Sequence, residues 1–302
     1  MTTIAVTGAT GFVGQTLIGL ALEQGLAVQA LTRRPRVSTS AVRWVDGALE
    51  RPETLSALIL GADAVIHVAG VVNAPDKAGF ERGNIAGTAA MLIAARAAGV
   101  GRFVHVSSLS AREPSLSNYG WSKAEGERLV ENSGLDWTIV RPPAIYGPGD
   151  REILDVFKAA KLGVVPLPPQ GRFSVIEVSD LGRLLLALAI TEAAVGTIIE
   201  PDDGLENNWT HKEFAKAIGQ AVGKNVRPLH LPRRLLGVAA RTDRLLRRNG
   251  AKLTADRVAY LCHPDWTADP AKRPDPALWM PQVETIAGLA ATARWYREAG
   301  WL

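Results

Sequence analysis

The sequence has few of the features that mark secreted, membrane-spanning or metal-binding proteins. Cys262 is the only cysteine among 302 residues. An internal disulfide is therefore excluded, and a reducing compartment, the cytoplasm, is expected. The longest apolar run, Leu184 to Ile190, is far shorter than the ~20 residues of a membrane-spanning helix. No basic and then apolar stretch with a cleavage site opens the chain, so we expect no secretory signal.

Excess charge and compositional bias are also small. The 34 basic and 30 acidic residues give a net charge of +4, which mildly favours an anionic ligand and does not indicate nucleic acid. The five histidines show no metal-ligand spacing, so no metal is expected. A composition of 47% hydrophobic residues without low-complexity tracts is that of a globular protein with a sizeable core.

Short apolar strands alternate with helical segments over the first 200 residues. Strands are predicted at 3–7, 27–31, 64–68, 102–106 and 137–140, with helices between them at 15–24, 55–60, 87–98 and 119–132. This alternation is typical of a parallel sheet covered on both faces, so an α/β, doubly wound fold is predicted. We assign 1–200 to this domain, with a proline-rich loop near 163–173, and 201–302 to a smaller, mainly helical cap.

Three glycines with the spacing GxxGxxG lie between the first predicted strand and helix, in VTGATGFVG (6–14). Gly8 allows a tight turn, Gly11 lets the backbone approach a pyrophosphate, and Gly14 lets the helix pack against the strand. The helix N-terminus offers N–H groups and a positive dipole end to phosphates. An ordinary tight turn is the alternative. The combined context predicts a Rossmann-type dinucleotide-binding domain.

The end of the second strand carries arginines where NAD-preferring domains carry a carboxylate for the ribose 2′-OH. Guanidinium groups instead suit a 2′-phosphate. Arg33 and Arg34 therefore predict NADP(H) as the preferred cofactor, with NAD as the second choice. A solvated arginine pair is the alternative interpretation.

Tyr119 and Lys123 lie four residues apart on a predicted helix and so share one face. The ordinary pKa of a tyrosine is near ~10. A neighbouring ammonium lowers it by favouring the phenolate. The pair can therefore exchange a proton with a carbonyl or an alcohol. Just upstream, Ser107 and Ser108 end a predicted strand, where a hydroxyl can hydrogen-bond the same substrate oxygen.

These motifs together resemble the extended short-chain dehydrogenases/reductases, the NAD(P)-dependent epimerase/dehydratase family. The matching stretches follow family order over nearly the whole chain: TGATGFVG (7–14), DG (46–47), HVAG (67–70), NIAGT (84–88), HVSS (105–108), YGWSK (119–123), RPPAIYGPGD (141–150) and ARWYREAGWL (293–302). The resemblance implies an enzyme with an N-terminal Rossmann sheet and a C-terminal substrate-binding cap, with the loop near 163–173 also serving the substrate.

The resemblance also implies roles for single residues. Tyr119 would be the catalytic acid or base, and Lys123 would bind the nicotinamide ribose and lower the tyrosine pKa. Ser108, in preference to Ser107, would orient the substrate oxygen, and Asn84 would support the lysine. The implied cofactor contacts are Gly8, Thr10, Gly11, Phe12, Val13, Gly14, Arg33, Arg34, Asp46 (toward the adenine), Gly47, Val68, Ala69, Gly70, Ser107, Tyr119, Lys123, and Pro142 and Ile145 (near the nicotinamide).

The stretch between Ser108 and Tyr119 departs from the family pattern. Residues 110–113 (SARE) replace the valine-tyrosine-glycine turn of many sugar-nucleotide enzymes, and no dehydratase-type acidic pair adjoins the serine. Hydride transfer at a carbonyl/alcohol pair is therefore favoured. The alternatives are a nucleotide-sugar epimerase of the same family and a non-catalytic NADP-binding regulatory or assembly protein. The intact Tyr119 and Lys123 argue against the last.

The expected partner is a small-molecule carbonyl or alcohol, with no nucleic acid and no stable membrane insertion. The resemblance suggests a homodimer through the helices at 87–98 and 119–132. The basic helix at 233–248 also carries leucines, and we expect it to pack on the cap with a solvated face; a membrane-surface helix is the alternative. His67 and His105 are expected to be packing residues.

Overall fold

The computed structural model describes residues 2–248, 251 and 253–302. Its strands are β1 (Thr3–Thr7), β2 (Ala27–Thr32), β3 (Val42–Asp46), β4 (Ala64–His67), β5 (Arg102–Val106), β6 (Asp136–Val140), β7 (Ala144–Tyr146), β8 (Val164–Leu167), β9 (Arg172–Phe173), β10 (Val175–Glu177), β11 (Thr197–Ile199), β12 (Trp209–Thr210), β13 (Arg227–His230) and β14 (Asp265–Trp266). Its α-helices are α1 (Phe12–Glu23), α2 (Pro52–Ile59), α3 (Lys77–Phe80), α4 (Gly87–Ala97), α5 (Asn118–Glu131), α6 (Leu154–Lys161), α7 (Val178–Ala189), α8 (His211–Ala221), α9 (Arg233–Arg247), α10 (Ala255–Leu261) and α11 (Thr285–Glu298). A π-helical turn spans Glu81–Ala86, and 3₁₀ turns span Leu109–Arg112 and Pro270–Lys272.

Seven of the described strands form a parallel sheet in the order β11-β6-β5-β4-β1-β2-β3. The direction of winding reverses between β1 and β4. Open parallel sheets bind ligands at such a reversal, outside the carboxyl ends of the strands. This order confirms the predicted Rossmann-type α/β fold.

The chain divides into two compact units whose segments alternate along the sequence. The first contains the residues up to Arg141, Leu181–Glu200 and Pro274–Trp279; the second contains Pro142–Asp180, Pro201–Arg273 and Met280–Leu302. Residues 142–180, which the sequence prediction counted with the first domain, thus lie in the second unit. The assignment of cofactor binding to 1–200 and substrate binding to 201–302 stays a prediction.

The first unit has a continuous apolar core against the sheet. Leu55, Leu58 and Met91 of the helices and Phe103 and Ile139 of the strands are fully buried there. The central strand β4 is buried along its whole length, which explains the apolar run at 64–66. Burial of this apolar surface holds the strand ends in fixed positions, and the candidate site is built on those ends.

The second unit has a separate core rich in aromatic rings. Helices α6, α8 and α11 contribute Phe157, Phe214 and Tyr296 to it, and the rings of Phe157 and Tyr296 meet edge to face with centroids 5.1 Å apart. Helix α8 starts with a reciprocal capping box between Thr210 and Glu213. These contacts make the second unit an independently packed body.

Some elements differ from the sequence-based prediction. Strand β3 was not predicted, because it is an edge strand with alternating exposure and lacks a continuous apolar run. The proline-rich loop contains β8, which pairs with β13; Pro166 is tolerated because a two-stranded sheet leaves one side of each strand unpaired. Helix α11 was missed in the tryptophan- and proline-rich tail, although Glu284 caps it by accepting from the Ile286 and Ala287 N–H groups.

Helix α9 leaves most of its large apolar side chains exposed. Ala240 is buried and Leu236 half-buried, whereas the other large apolar side chains are exposed: Leu235, Val238, Leu245 and Leu246. The helix thus packs on the second unit through the side that carries Ala240, as expected, but leaves these four apolar side chains on its solvated face. None of the helices in the described ranges is both long and apolar enough to cross a membrane.

Candidate active site

The turn between β1 and α1 is packed so closely that side chains are excluded from it. Gly8 has a φ of +69°, and a Cβ there would lie 2.7 Å from the backbone nitrogen of Ala69. A Cβ on Gly14 would lie 2.2 Å from the Gly8 carbonyl oxygen. Gly11 has no side chain to cap α1, so the first N–H groups of the helix can face an anion. This cradle fits the pyrophosphate of a dinucleotide.

Other predicted cofactor contacts lie on the same edge of the sheet. They follow β1, β3 or β4: Thr10, Phe12, Val13, Gly47, Val68, Ala69 and Gly70. The Ala69 N–H donates to Thr7 Oγ1 at 3.2 Å, and the Gly47 N–H donates to the Thr32 carbonyl at 2.8 Å. These bonds tie the ends of neighbouring strands together around the glycine turn.

Arg33 and Arg34 follow β2 directly and are both exposed. Thr32 Oγ1 donates to the Arg34 carbonyl at 2.7 Å and so holds the turn that carries them. Within the described part of the chain, neither guanidinium has a carboxylate partner, which leaves two positive charges beside the end of β1. Asp46, paired with Thr32 in the sheet register, instead forms an exposed ion pair with Arg51 at 3.4 Å.

Lys123 is buried although its side chain ends in an ammonium group. Its Nζ donates to the Val106 carbonyl at the end of β5 at 2.9 Å. Burial lowers the pKa of Lys123 to about 8, and the carboxylate of Glu127, one turn further along α5, opposes that shift. The strand end and the helix together fix this charge at the carboxyl edge of the sheet.

Asn84 lies in the π-helical turn between α3 and α4, a conformation frequent at functional sites. Its Oδ1 accepts from the Val71 N–H at 2.7 Å, and its Nδ2 donates to the Val71 carbonyl at 3.0 Å and to Ser122 Oγ at 2.8 Å. A Cβ on Gly70 would lie 3.0 Å from Asn84 Oδ1 and 3.3 Å from Lys123 Nζ. The two polar side chains therefore converge beside Gly70.

Tyr119 lies in the first turn of α5, which Ser117 caps by accepting from the Gly120 N–H at 2.9 Å. Its half-buried ring lies with its centroid 6.2 Å from that of Phe80. With Lys123 one turn on, the geometry is the helical i, i+4 pair that the sequence predicted.

Three serine hydroxyls lie at the end of β5. Ser108 Oγ accepts from the Ser110 N–H at 3.2 Å, so its proton can be donated to a substrate oxygen. The Oγ atoms of Ser107 and Ser110 are buried and have no hydrogen-bond partner among the described residues. Buried hydroxyls are nearly always paired, so a ligand is a natural partner for both. Ser110 was not among the predicted site residues.

A chain of buried ion pairs supports this region and was not predicted. Glu127 accepts from Arg141 at 2.9 and 2.6 Å, Arg141 reaches Glu200 at 3.3 Å, and Glu200 reaches Arg112 at 3.2 Å. Arg112 ends the 3₁₀ turn that starts after Ser108. This series of ion pairs thus joins α5, the helix that carries Lys123, to the 3₁₀ turn that follows Ser108. The only sequence signal was the spacing of Lys123 and Glu127.

His67 and His105 are buried and stack with ring centroids 5.5 Å apart. His67 Nδ1 lies 2.8 Å from Thr7 Oγ1, and its Nε2 lies 3.3 Å from Thr88 Oγ1. Burial, and then the charge of Lys123, lowers the pKa of His67 to about 3 and holds that of His105 well below its usual value. Both rings are neutral at pH 7 and pack in the core, as expected.

Pro142 and Ile145 belong to the second unit. Pro142 is buried and Ile145, in β7, is half-buried. Their proximity to a nicotinamide stays a prediction. Among the described residues, no group of three or more histidine, cysteine, aspartate or glutamate side chains is placed to hold a metal ion.

Comparison with known proteins places this site in a family. A family model described as NAD(P)H-binding matches residues 8–161. A ceramide reductase of Caulobacter vibrioides is 38% identical over 308 residues, covering 99% of this chain and 96% of the relative. A 2-alkyl-3-oxoalkanoate reductase of Stenotrophomonas maltophilia is 28% identical, with 95% and 97% covered. The Bordetella bronchiseptica enzyme WbmH in complex with NAD⁺ has the same fold, with a TM-score of 0.76, 21% identity and 99% of each chain covered.

Fold, glycine cradle and relatives together define an enzyme that binds NAD(P) and carries out redox chemistry with it. The chain belongs to the extended short-chain dehydrogenases/reductases, the family of NAD(P)-dependent reductases, epimerases and dehydratases. This confirms the resemblance drawn from the sequence motifs.

Proposed function

We propose that this protein is an NADPH-dependent reductase of a ketone carried by a long-chain lipid. The full-length similarity to the ceramide reductase carries this proposal, because it extends over both compact units. The name of the second relative, 2-alkyl-3-oxoalkanoate reductase, also describes a ketone on an alkyl-bearing chain. The solved WbmH structure, at 21% identity, shows the fold alone and supports no substrate.

Tyr119, Ser108 and Lys123 supply the proton chemistry of this reaction. The Tyr119 phenol donates its proton to the substrate oxygen, and the Ser108 hydroxyl hydrogen-bonds that oxygen as negative charge develops on it. Lys123, fixed by the Val106 carbonyl, stabilises the phenolate that Tyr119 becomes. When bound, NADPH supplies the hydride to the carbonyl carbon. The products are the alcohol and NADP⁺, and solvent returns the proton to Tyr119.

The cofactor-binding residues follow the edge of the sheet. The glycine cradle and the N-terminus of α1 hold the pyrophosphate, and Arg33 and Arg34 bind the 2′-phosphate. Asn84 positions Lys123 beside Gly70. The buried Ser107 and Ser110 hydroxyls, which have no hydrogen-bond partner among the described residues, bind polar groups of the cofactor or substrate.

Cofactor preference is tested by fluorescence titration of the purified protein with NADPH and NADH. We expect tighter NADPH binding, and at least about tenfold weaker NADPH binding in the Arg33→Asp/Arg34→Ala variant, because charge-assisted bonds to the 2′-phosphate are lost. NADH binding should be nearly unchanged. Arg36→Ala is the matched control, since Arg36 lies in the same loop but stacks over Trp44 at 4.8 Å. Equal binding of both cofactors by the wild type would contradict the preference.

A homodimer through α4 and α5 and a cytoplasmic location complete the proposal. Helix α4 exposes Ile93 to 70%, which an isologous contact would cover. Light scattering of the wild type and Ile93→Glu tests the dimer: the wild type should have twice the chain mass and the variant the mass of one chain. A monomeric wild type would contradict it.

A further inference from the structure

We propose that helix α9 docks the protein on the surface of an anionic lipid bilayer. Four large apolar side chains of this helix are exposed: Leu235, Val238, Leu245 and Leu246. The exposed fraction is 80% for Leu245 and 79% for Leu246. At 100° per residue these four side chains fall within an arc of about 100°, so they form one stripe. We call these four residues the leucine stripe.

The opposite side of the helix attaches it to the protein. Buried Ala240 and half-buried Leu236 lie there, and α9 packs against α10. Asp243 accepts from the Leu253 N–H at 2.9 Å and pairs with Arg247 at 3.2 Å. The helix already packs against the protein through its other side. The leucine stripe is therefore not the side that belongs in the core of this unit.

The charge of the helix selects the partner. Helix α9 contains five arginines and one aspartate, a net charge of +4, which equals the formal net charge of the whole chain. The rest of the protein is thus neutral on balance. Arg234 and Arg241 fall beside the leucine stripe, where long stems can lie on apolar surface while guanidinium groups reach phosphates.

An anionic bilayer is the partner that suits both the exposed leucine stripe and the positive charge of α9. Helices with a basic face and an apolar face lie in the membrane interface, and each arginine adds attraction to anionic lipid. A second copy of the chain would cover the leucines but bring two sets of like charges together. The proposal that α9 docks on a bilayer does not depend on the proposed function. The further idea, that docking brings the enzyme to a lipid ketone in the membrane, rests on that function.

Vesicle flotation of the full chain tests the docking. Vesicles of equal parts phosphatidylcholine and phosphatidylglycerol should carry the protein, and pure phosphatidylcholine should bind it at least about tenfold less, because each arginine near an anionic surface contributes about fivefold. Leu245→Glu/Leu246→Glu should reduce binding to the mixed vesicles at least about tenfold. Leu162→Glu is the matched control, 85% exposed at the end of α6, and should bind like the wild type.

Two further measurements keep this test apart from that of the proposed function. The Leu245→Glu/Leu246→Glu variant should keep NADPH binding and its sedimentation mass, which shows that it folds and that the leucine stripe is not a dimer contact. The proposal is overturned if the wild type does not float with the vesicles, or if the variant floats as well as the wild type. It is also overturned if the variant still binds vesicles but sediments as a smaller species. None of these outcomes depends on which substrate the enzyme reduces.

Discussion

Helices α5 and α9 place their charged and apolar side chains in opposite ways. Helix α5 buries Lys123 and Glu127 within the first unit, whereas α9 exposes leucines in the second. Both arrangements cost free energy relative to the usual pattern, since a buried charge loses hydration and an exposed leucine orders water. Each therefore indicates a function that the fold alone does not require.

The buried charges of α5 and the exposed leucines of α9 differ in what offsets their cost in free energy. In α5 the Val106 carbonyl and the chain of ion pairs through Arg141 hold the buried charges in fixed geometry, as proton chemistry requires. In α9 no side chain of the described residues covers the leucine stripe, and the proposed bilayer is what would cover it. The proposed catalytic region thus holds buried charges that are compensated within the protein, whereas the proposed docking region combines exposed apolar surface with a net positive charge.

The largest effect is expected from Tyr119→Phe in α5. Removing the proton donor should lower kcat for ketone reduction about a thousandfold while NADPH still binds. Steady-state kinetics with NADPH titration measures both quantities. Tyr260→Phe in α10 is the control and should retain its turnover. Full turnover by Tyr119→Phe would remove tyrosine from the mechanism.

The buried ion pairs are tested by Glu200→Gln. This change removes the buried negative charge that pairs with Arg112 and Arg141, so the free energy of unfolding should fall by about 3 kcal/mol. Glu125→Gln breaks the exposed pair with Arg128 and should cost less than about 1 kcal/mol. Urea unfolding of both variants gives the comparison; equal losses would show that burial adds nothing to the pair.

Close packing at the glycine cradle is tested by Gly8→Ala and Gly25→Ala. Both glycines have φ near +70°, but a Cβ at Gly8 meets backbone within 2.7 Å, whereas a Cβ at Gly25 meets nothing within 4 Å. Gly25→Ala should lower stability by about 1 kcal/mol and leave NADPH binding intact. Gly8→Ala should lose more stability and also NADPH affinity, measured by thermal unfolding and titration. Unchanged affinity in Gly8→Ala would contradict the cradle.

Lys123→Met is expected to change the free energy of unfolding by an amount that depends on pH. The folded pKa of about 8 is below the ordinary 10.5, so the folded state loses this proton before the unfolded state does. The destabilisation by burial is full below pH 8 and is relieved as pH rises toward 10.5. The variant's gain in stability, on the order of 3 kcal/mol at most, should therefore shrink from pH 7 to pH 10.

Chemical unfolding at several pH values measures that difference. Lys161→Met, at an exposed position of α6, is the control and should differ from the wild type by the same small amount throughout. A Lys123→Met gain that grows with pH would mean that Lys123 is not held at a lowered pKa.

Local patterns made much of the first unit predictable. The β1 turn, the central strands and the pairing of Tyr119 with Lys123 depend on neighbours within a few residues, so the sequence displays them directly. The ion pairs of Glu200 could not be predicted in this way, because Arg112 is 88 residues away and contacts Glu200 only once β5, β6 and β11 align. The edge strand β3 escaped prediction because one of its faces meets solvent.

The second unit shows the limits of pattern reading more strongly. The amphipathic spacing of α9 was visible, but the sequence could not tell which apolar side chains would find a partner. Pairing of β8 with β13 joins segments about sixty residues apart, which no local pattern displays.

The central claim, reduction of a lipid ketone with NADPH, is tested most directly by a single-turnover reaction. Wild-type protein is mixed with NADPH and a long-chain ketone of the ceramide type in detergent micelles, and alcohol formation is followed by mass spectrometry. We predict one alcohol per NADPH oxidised, alcohol formation about a thousandfold slower with Tyr119→Phe, and normal turnover by Leu245→Glu/Leu246→Glu because micelles need no docking. NADPH binding without alcohol formation, or interconversion of a nucleotide sugar by the same protein, would contradict the account.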